Sequence, residues 1–324
     1  MSFDVLNTAS AAAVDERAER PIRSMGVVSF ALKVALRPVL RSSALLCVRH
    51  ALVDFFGVQW HERVSPRRTA ISSVDHELDS LVPFAPGYVG IYMDFIPFWI
   101  RTAAWLRFYY GKKADRETAG FVRGIASLYR IAASVYYARL STTKRPFYVK
   151  RPRFALIHLT DPHYACVPSL HVMIVVYAWL SFRAIVRRHE DDGLLRPRIL
   201  ELRAGAMAIT ESILYVKQHS VNCISAALYV IAILFPGLLP QEEAELFISE
   251  LFLTQPKPLA ADAAVIRAHI LHLFRRFMNE GRAAADWRKP LLDFLCALEV
   301  RPGRRSSTAG LLKKVPRFGE KEMG

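Results

Sequence analysis

The sequence predicts an all-α protein: an integral-membrane bundle of five or six transmembrane helices, with a small helical appendage near the C-terminus. Three observations lead there. Two stretches lack any Lys, Arg, Asp or Glu, namely Pro162 to Phe182 with 21 residues and Gln218 to Gln241 with 24. Each is long enough to cross a hydrocarbon core at about 1.5 Å per residue. Neither shows the period-two alternation of a barrel strand. The chain of 324 residues is 52% hydrophobic with mean hydropathy +0.18, yet carries a formal charge of +15. High apolarity asks for buried or lipid-facing helices, while a basic excess asks for an anionic partner such as a membrane surface or a phosphate. The basic residues are dispersed among apolar segments, which argues against nucleic acid as that partner.

Residues 1–80 form the first unit. The opening twenty-five are polar and charged, without the apolar core of a cleavable signal peptide. Gly26 to Leu40 is apolar, with Lys33, Arg37 and Arg41 on one helical face, the pattern of a helix lying on an anionic membrane. Ser43 to Val58 is a candidate extra span, weakened by Arg49, His50 and Asp54. Both readings stay open.

The core, residues 81–240, adds three weaker spans to the two charge-free runs: Gly87 to Tyr110, Phe121 to Leu140, and Leu202 to Lys217. Asp94, Arg101, Arg123, Arg130 and Glu211 within them are expected to face the bundle interior. Loop charges set the orientation. Lys112, Lys113 and Arg116 lie in one loop, and Arg183, Arg187, Arg188, Arg196 and Arg198 in another on the same side. The positive-inside rule makes that side cytoplasmic, so the opposite ends face outward from the cell membrane.

Beyond Pro240 the character changes. Val265, Ile266, Ile270, Leu273, Phe274 and Phe277 follow a helical period, and Leu291, Leu292, Leu295 and Leu298 form a second stripe. Residues 241–300 therefore read as an amphipathic appendage on the cytoplasmic side. The basic tail, 301–324, reads as disordered. Cys47, Cys166, Cys223 and Cys296 are too widely spaced for a zinc site or a disulfide framework. His158, Asp161 and His163 read as loop residues rather than metal ligands. No cofactor is called for.

The chemistry-bearing residues stand at segment edges: Lys144, then Arg151-Pro152, then Pro168-Ser169-Leu170-His171, then His219 in Lys217-Gln218-His219. A phosphoryl group needs cationic donors around its oxygens, an in-line nucleophile, and an acid on the leaving oxygen. Lys144 and Arg151 suit the first task, and the two histidines suit the others, with no metal required.

This pattern resembles the type 2 phosphatidic acid phosphatase superfamily, membrane phosphatases and phosphotransferases of lipid phosphates, over roughly Leu81 to Leu238. The family's first motif, a Lys with Arg-Pro after six residues, is intact at Lys144, Arg151 and Pro152. Its second, Pro-Ser-x-His, is intact at Pro168 to His171. Its third, Ser-Arg, five residues, His, three residues, Asp, reads Ser212, Ile213, His219 and Cys223 here. The resemblance implies a phosphohistidine formed on His219, with His171 protonating the leaving alcohol. It implies that Lys144, Arg151 and Ser169 hold the phosphate oxygens of a lipid or polyprenyl phosphate. Ser212 and Cys223 would support His219, with Cys223 where the family has the aspartate that polarises the imidazole. Asn222, Glu211 and Asp161 are candidates for that lost carboxylate. The alternative is a catalytically impaired relative that binds anionic headgroups without turnover. The two imidazoles are expected within about 8 Å of one another, with room for a phosphoryl group between hydrogen-bonding partners.

Overall fold

The computed structural model describes residues 16–65, 70–253 and 260–298. The tail from Arg301 and the first fifteen residues lie outside the described residues. Nearly all ordered structure is helical. Val27–Ala35 (α1) and Pro38–His50 (α2) meet at a break, where Pro38 opens the second helix with its fixed φ. The helix continues through a π-helical stretch, Ala51–Gly57, into Val58–Val64 (α3), reaching about 40 Å in all.

The core follows as Val89–Tyr92 (α4), Phe95–Tyr110 (α5), Asp115–Tyr136 (α6), Pro152–Thr160 (α7), Leu170–Arg188 (α8), Arg196–Tyr215 (α9) and Val221–Leu234 (α10). Every apolar run of the core overlaps at least one of these helices. The charge-free run from Pro162 is helical only from Leu170, because Pro162 and Pro168 lack N–H donors and restrict the residues before them. α8 lies at the centre, against α5, α6, α9 and α10, and is buried almost all round. Among the described residues it is the one helix long and apolar enough to cross a membrane, and it is enclosed by protein. The apolar α10 is shorter, at 14 residues.

Close packing between α6 and α8 depends on Gly124. A Cβ added there would overlap the Tyr177 hydroxyl and ring edge, and that ring is held against Phe121 and Phe235. Gly124→Ala is expected to cost about 1–3 kcal/mol through overpacking. Gly120→Ala, whose nearest neighbour is the Arg123 Nη2 at 3.8 Å, should instead gain up to about 1 kcal/mol of helix propensity. Thermal melts of the two variants check the contrast.

Two short strands accompany the helices of this mostly helical fold. Ile71–Ser73 (β1) pairs in parallel with Leu140–Thr142 (β2), Ile71 opposite Leu140, and Ala165 bridges to Ser141. Three-residue strands are too short to show a period in the sequence. Of the charges expected inside, Asp94 pairs with Arg101, and the buried Glu211 accepts from the Phe252 N–H at 2.5 Å. Arg123 differs: it lies exposed and reaches the Ser43 hydroxyl at 3.2 Å.

Residues 241–298 contain Gln241–Ser249 (α11), Ala260–Ala283 (α12) and Lys289–Ala297 (α13). They pack along the bundle rather than beyond one end of it. α12 covers α10: Ser225 Oγ donates to the Ile270 carbonyl at 2.9 Å, and Tyr229 OH to the Trp287 carbonyl at 2.6 Å. The stripe read from Ile266, Ile270, Phe274 and Phe277 is buried there, while Val265, Arg275 and Arg276 point outward. The Leu295 carbonyl accepts from Ser72 of β1 at 2.6 Å, so the last described helix returns to the end of the bundle that holds the strands. The opposite end gathers the basic loops, where His189 bonds Glu117 at 2.7 Å and stacks on Tyr110.

Candidate active site

At the strand-bearing end, the turn between α9 and α10 presents His219. Lys217 adopts a left-handed conformation, φ 54°, and its ammonium donates to the carbonyls of Asp79 and Val82. The N–H groups of Gln218 and His219 both donate to the Ile213 carbonyl, at 3.1 and 3.3 Å. Ser220 caps α10, and the Asp79 carboxylate accepts from the Val221 N–H at 2.9 Å. Each residue of the Lys-Gln-His run is thereby committed, and the imidazole turns inward. His171, in the first turn of α8, stacks on Tyr92 at 4.5 Å and abuts Phe95 at 4.0 Å. His219 Nε2 and His171 Nδ1 stand 3.4 Å apart, with ring centroids at 5.3 Å. The pairing of the two imidazoles expected from the motifs is present.

The space between them is not. Gln59, Asp161, His163, Cys166, His171 and His219 border a cavity of about 10 Å³, room for a single water. A phosphoryl group requires the imidazoles to part. Ser169, next in sequence to the cavity-lining Leu170, is fully buried, and its hydroxyl has no partner and does not cap α8.

The expected cations are elsewhere. Lys144 and Arg151 are exposed and do not line the cavity. The Lys144 N–H donates to Asp75 at 2.7 Å, which fixes the extended chain so that the next residue faces inward. Arg145 takes the inner position, donating to Gln218 Oε1 at 3.1 Å and to the Asp161 carbonyl at 3.0 Å, with the Asp161 carboxylate at 4.0 Å. Arg151 serves as the N-cap residue of α7, ahead of Pro152.

The supporting residues also differ from expectation. Ser212 Oγ donates to the Ile209 carbonyl of its own helix at 2.8 Å and takes no part in the pocket. Cys223 is fully buried and makes no hydrogen bond to His219, whose Nδ1 is buried without a partner. The reason lies in the cap: Ser220 ends the turn, so His219 precedes the helix and does not share its faces. Among the substitutes for the missing carboxylate, Glu211 is engaged by Phe252, and Asn222 bonds His269 at 2.8 Å and the Val74 carbonyl at 3.1 Å. Asp161 borders the cavity. Its Oδ1 accepts from the His163 N–H at 2.9 Å, and His163, at φ 69°, meets Thr143 Oγ1 at 2.9 Å.

Burial alone would raise the Asp161 carboxyl, but His163 and Arg145 outweigh it and hold the group at about 2. Burial lowers His163 against the pull of Asp161. Burial lowers His219 well below the ordinary histidine range, with His171 and His163 adding to the shift and Asp161 opposing it. His219 is therefore neutral at physiological pH, with an unprotonated ring nitrogen available for attack.

A histidine whose folded pKa is depressed contributes stability that is complete above its unfolded value, about 6.5, and lost as pH falls below it. Unfolding free energy is expected to fall as the pH drops from about 6.5 to 5, where the unfolded chain binds a proton that folded His219 does not. Denaturant titrations across that range should show a shallower slope for His219→Gln. Asp161 acts further down: its contribution is lost as pH falls from about 3.9 toward its folded value.

Comparison with family models, with curated proteins and with solved structures gives no match to this chain. Gln59, His163 and Cys166 border the cavity, and Arg145 bonds Gln218 and the Asp161 carbonyl next to it; sequence reasoning assigned none of the four to the site. Arg145 lay inside a basic run whose inward register was not visible, and Gln59 carried no signal at all.

Proposed function

We propose that this protein is a membrane-bound phosphatase or phosphotransferase acting on a lipid phosphate or polyprenyl phosphate through a phosphohistidine on His219. The observation that carries the reading is the buried imidazole pair, His219 Nε2 against His171 Nδ1 at 3.4 Å, with the Arg145 guanidinium reaching Gln218 next to the nucleophile. The likeness of three motifs to the type 2 phosphatidic acid phosphatase superfamily supports it. In the first step, the anionic phosphate enters and His171 takes up a proton from solvent; a nitrogen of His219 then bonds phosphorus as the ester P–O bond breaks, and the leaving oxygen takes that proton from His171. In the second, water attacks the phosphohistidine, gives its proton to His171, and releases phosphate with His219 restored. An alcohol in place of water makes the second step a transfer. Arg145 and Ser169 are the groups assigned to the phosphoryl oxygens.

Membrane placement rests on exposed apolar side chains of the N-terminal helices. Val28, Leu32, Leu36 and Val39 lie outward, followed by Leu45, Val48 and Leu52, with Lys33, Arg41 and Arg49 beside them. Apolar side chains flanked by cations suit an anionic bilayer surface. A multi-pass arrangement would use α5, α6, α8, α9 and α10, with the 38–64 helix as the sixth crossing and the site facing outward. The polar outer face of α12 then asks for a flank covered by water or protein.

A second reading, a headgroup binder without turnover, is favoured by the unpartnered Nδ1 of His219, which has no carboxylate to stabilise the charge acquired on attack. Phosphate release from a panel of lipid phosphates, by the purified protein in detergent, separates the two. Within that assay Arg145→Ala is expected to lower turnover by about 10²–10³, as loss of a preorganised oxyanion donor does elsewhere. Lys144→Ala should change it little. The reverse order would return the motif lysine to the site.

A further inference from the structure

One buried polar group in the cavity has no role in the chemistry above. Gln59 comes from α3, far from the motifs in sequence, and is fully buried. Its Oε1 accepts from the Tyr164 N–H at 2.8 Å, which fixes the orientation of the amide, because the nitrogen cannot accept that bond. Its Nε2 is left buried without any partner, on a residue that borders the same cavity as His171 and His219. Buried amide donors are rarely left unpaired, and each one that is asks for an explanation. An amide N–H can only donate, so whatever completes it presents an acceptor. Ser169 Oγ, next in sequence to cavity-lining Leu170, is a second unpaired group of this kind.

We infer that Gln59 is a further substrate-binding residue, its Nε2–H directed at an oxygen of a tetrahedral oxyanion that enters when the two imidazoles part. The inference rests on the phosphate reading of the site and adds to it a donor from the N-terminal helix. That helix thereby becomes part of the pocket, and its placement in the membrane is linked to the site.

The test uses the full chain in detergent with orthovanadate as the probe, its affinity measured by isothermal titration calorimetry. Gln59→Glu keeps the size and the acceptor for Tyr164 but replaces the donor with a carboxylate. It is expected to weaken vanadate binding at least about tenfold near pH 8 and to recover as the pH is lowered toward about 6.5, because full burial raises a carboxyl well above its free value of about 4.3. Gln59→Leu should weaken binding at every pH. A purely structural role would produce no such pH-dependent recovery. Unchanged affinity in Gln59→Glu, with binding lost in His219→Ala, would overturn the role of Gln59 and leave the phosphate site standing, the amide then holding no more than a water. Absence of vanadate binding by the unsubstituted protein would overturn both.

Discussion

His219→Ala is expected to abolish turnover of a lipid phosphate, by about 10⁴ or more, while leaving the fold intact. The size of the effect follows from the position of the ring. Its neutral ring nitrogen is the nucleophile that forms the covalent intermediate shared by both proposed steps. Stability should change little, since the substitution trades packing for removal of a buried Nδ1 that has no partner. Circular dichroism and melting temperature check the fold, and phosphate release checks the chemistry. His171→Ala provides the contrast. A proton donor matters most for a poor leaving group, so its loss should cost about 10²–10⁴ on an alkyl phosphate and much less on an aryl phosphate. Equal losses on both substrates would remove His171 from the leaving-group role.

Cys223→Asp is expected to raise turnover, by as much as about 10², in the direction opposite to the loss seen when a His–Asp partnership is broken. Residue 223 is the third of α10, and first-turn side chains lean back toward the helix N-terminus, where His219 lies. An acidic group is favoured there by the helix dipole. The carboxylate would meet the unpartnered Nδ1 and stabilise the charge that the ring acquires on attack. If it fails to reach, a fully buried carboxylate should lower stability by several kcal/mol with no gain in rate. Turnover and melting temperature together therefore give opposite signatures for the two outcomes. A stable variant with unchanged turnover would leave Asp161 as the group that orients the site.

The core helices were legible because their apolar runs are long and interrupted by few charges. Lys112 and Lys113 on one side, and Arg187, Arg188 and Arg196 on the other, mark the turns that the structure brings together through Glu117 and His189. The His171 and His219 pair was legible because their motifs stand at the edges of those runs. What sequence could not supply depends on contacts between distant segments. Which of Lys144 and Arg145 points inward is set by Asp75 and by the pairing of β1 with β2. Gln59 reaches the cavity because α3 packs beside the loop at Tyr164. The period through Ile270 and Phe277 reads as one apolar face of an amphipathic helix, but its partner α10 is not legible, since amphipathicity names a face and not its neighbour. The motif puts Cys223 where the family has its aspartate, but the contact with His219 is not legible, because Ser220 between them caps α10.

The most direct measurement is to trap the covalent intermediate. The full chain in detergent is mixed briefly with a lipid phosphate labelled on phosphorus, quenched in alkali, and digested, and the label is located by mass spectrometry. The account predicts an acid-labile, alkali-stable phosphoryl group on the peptide bearing His219, absent in His219→Ala. Turnover with no label on His219, or label on another residue that survives His219→Ala, would contradict it.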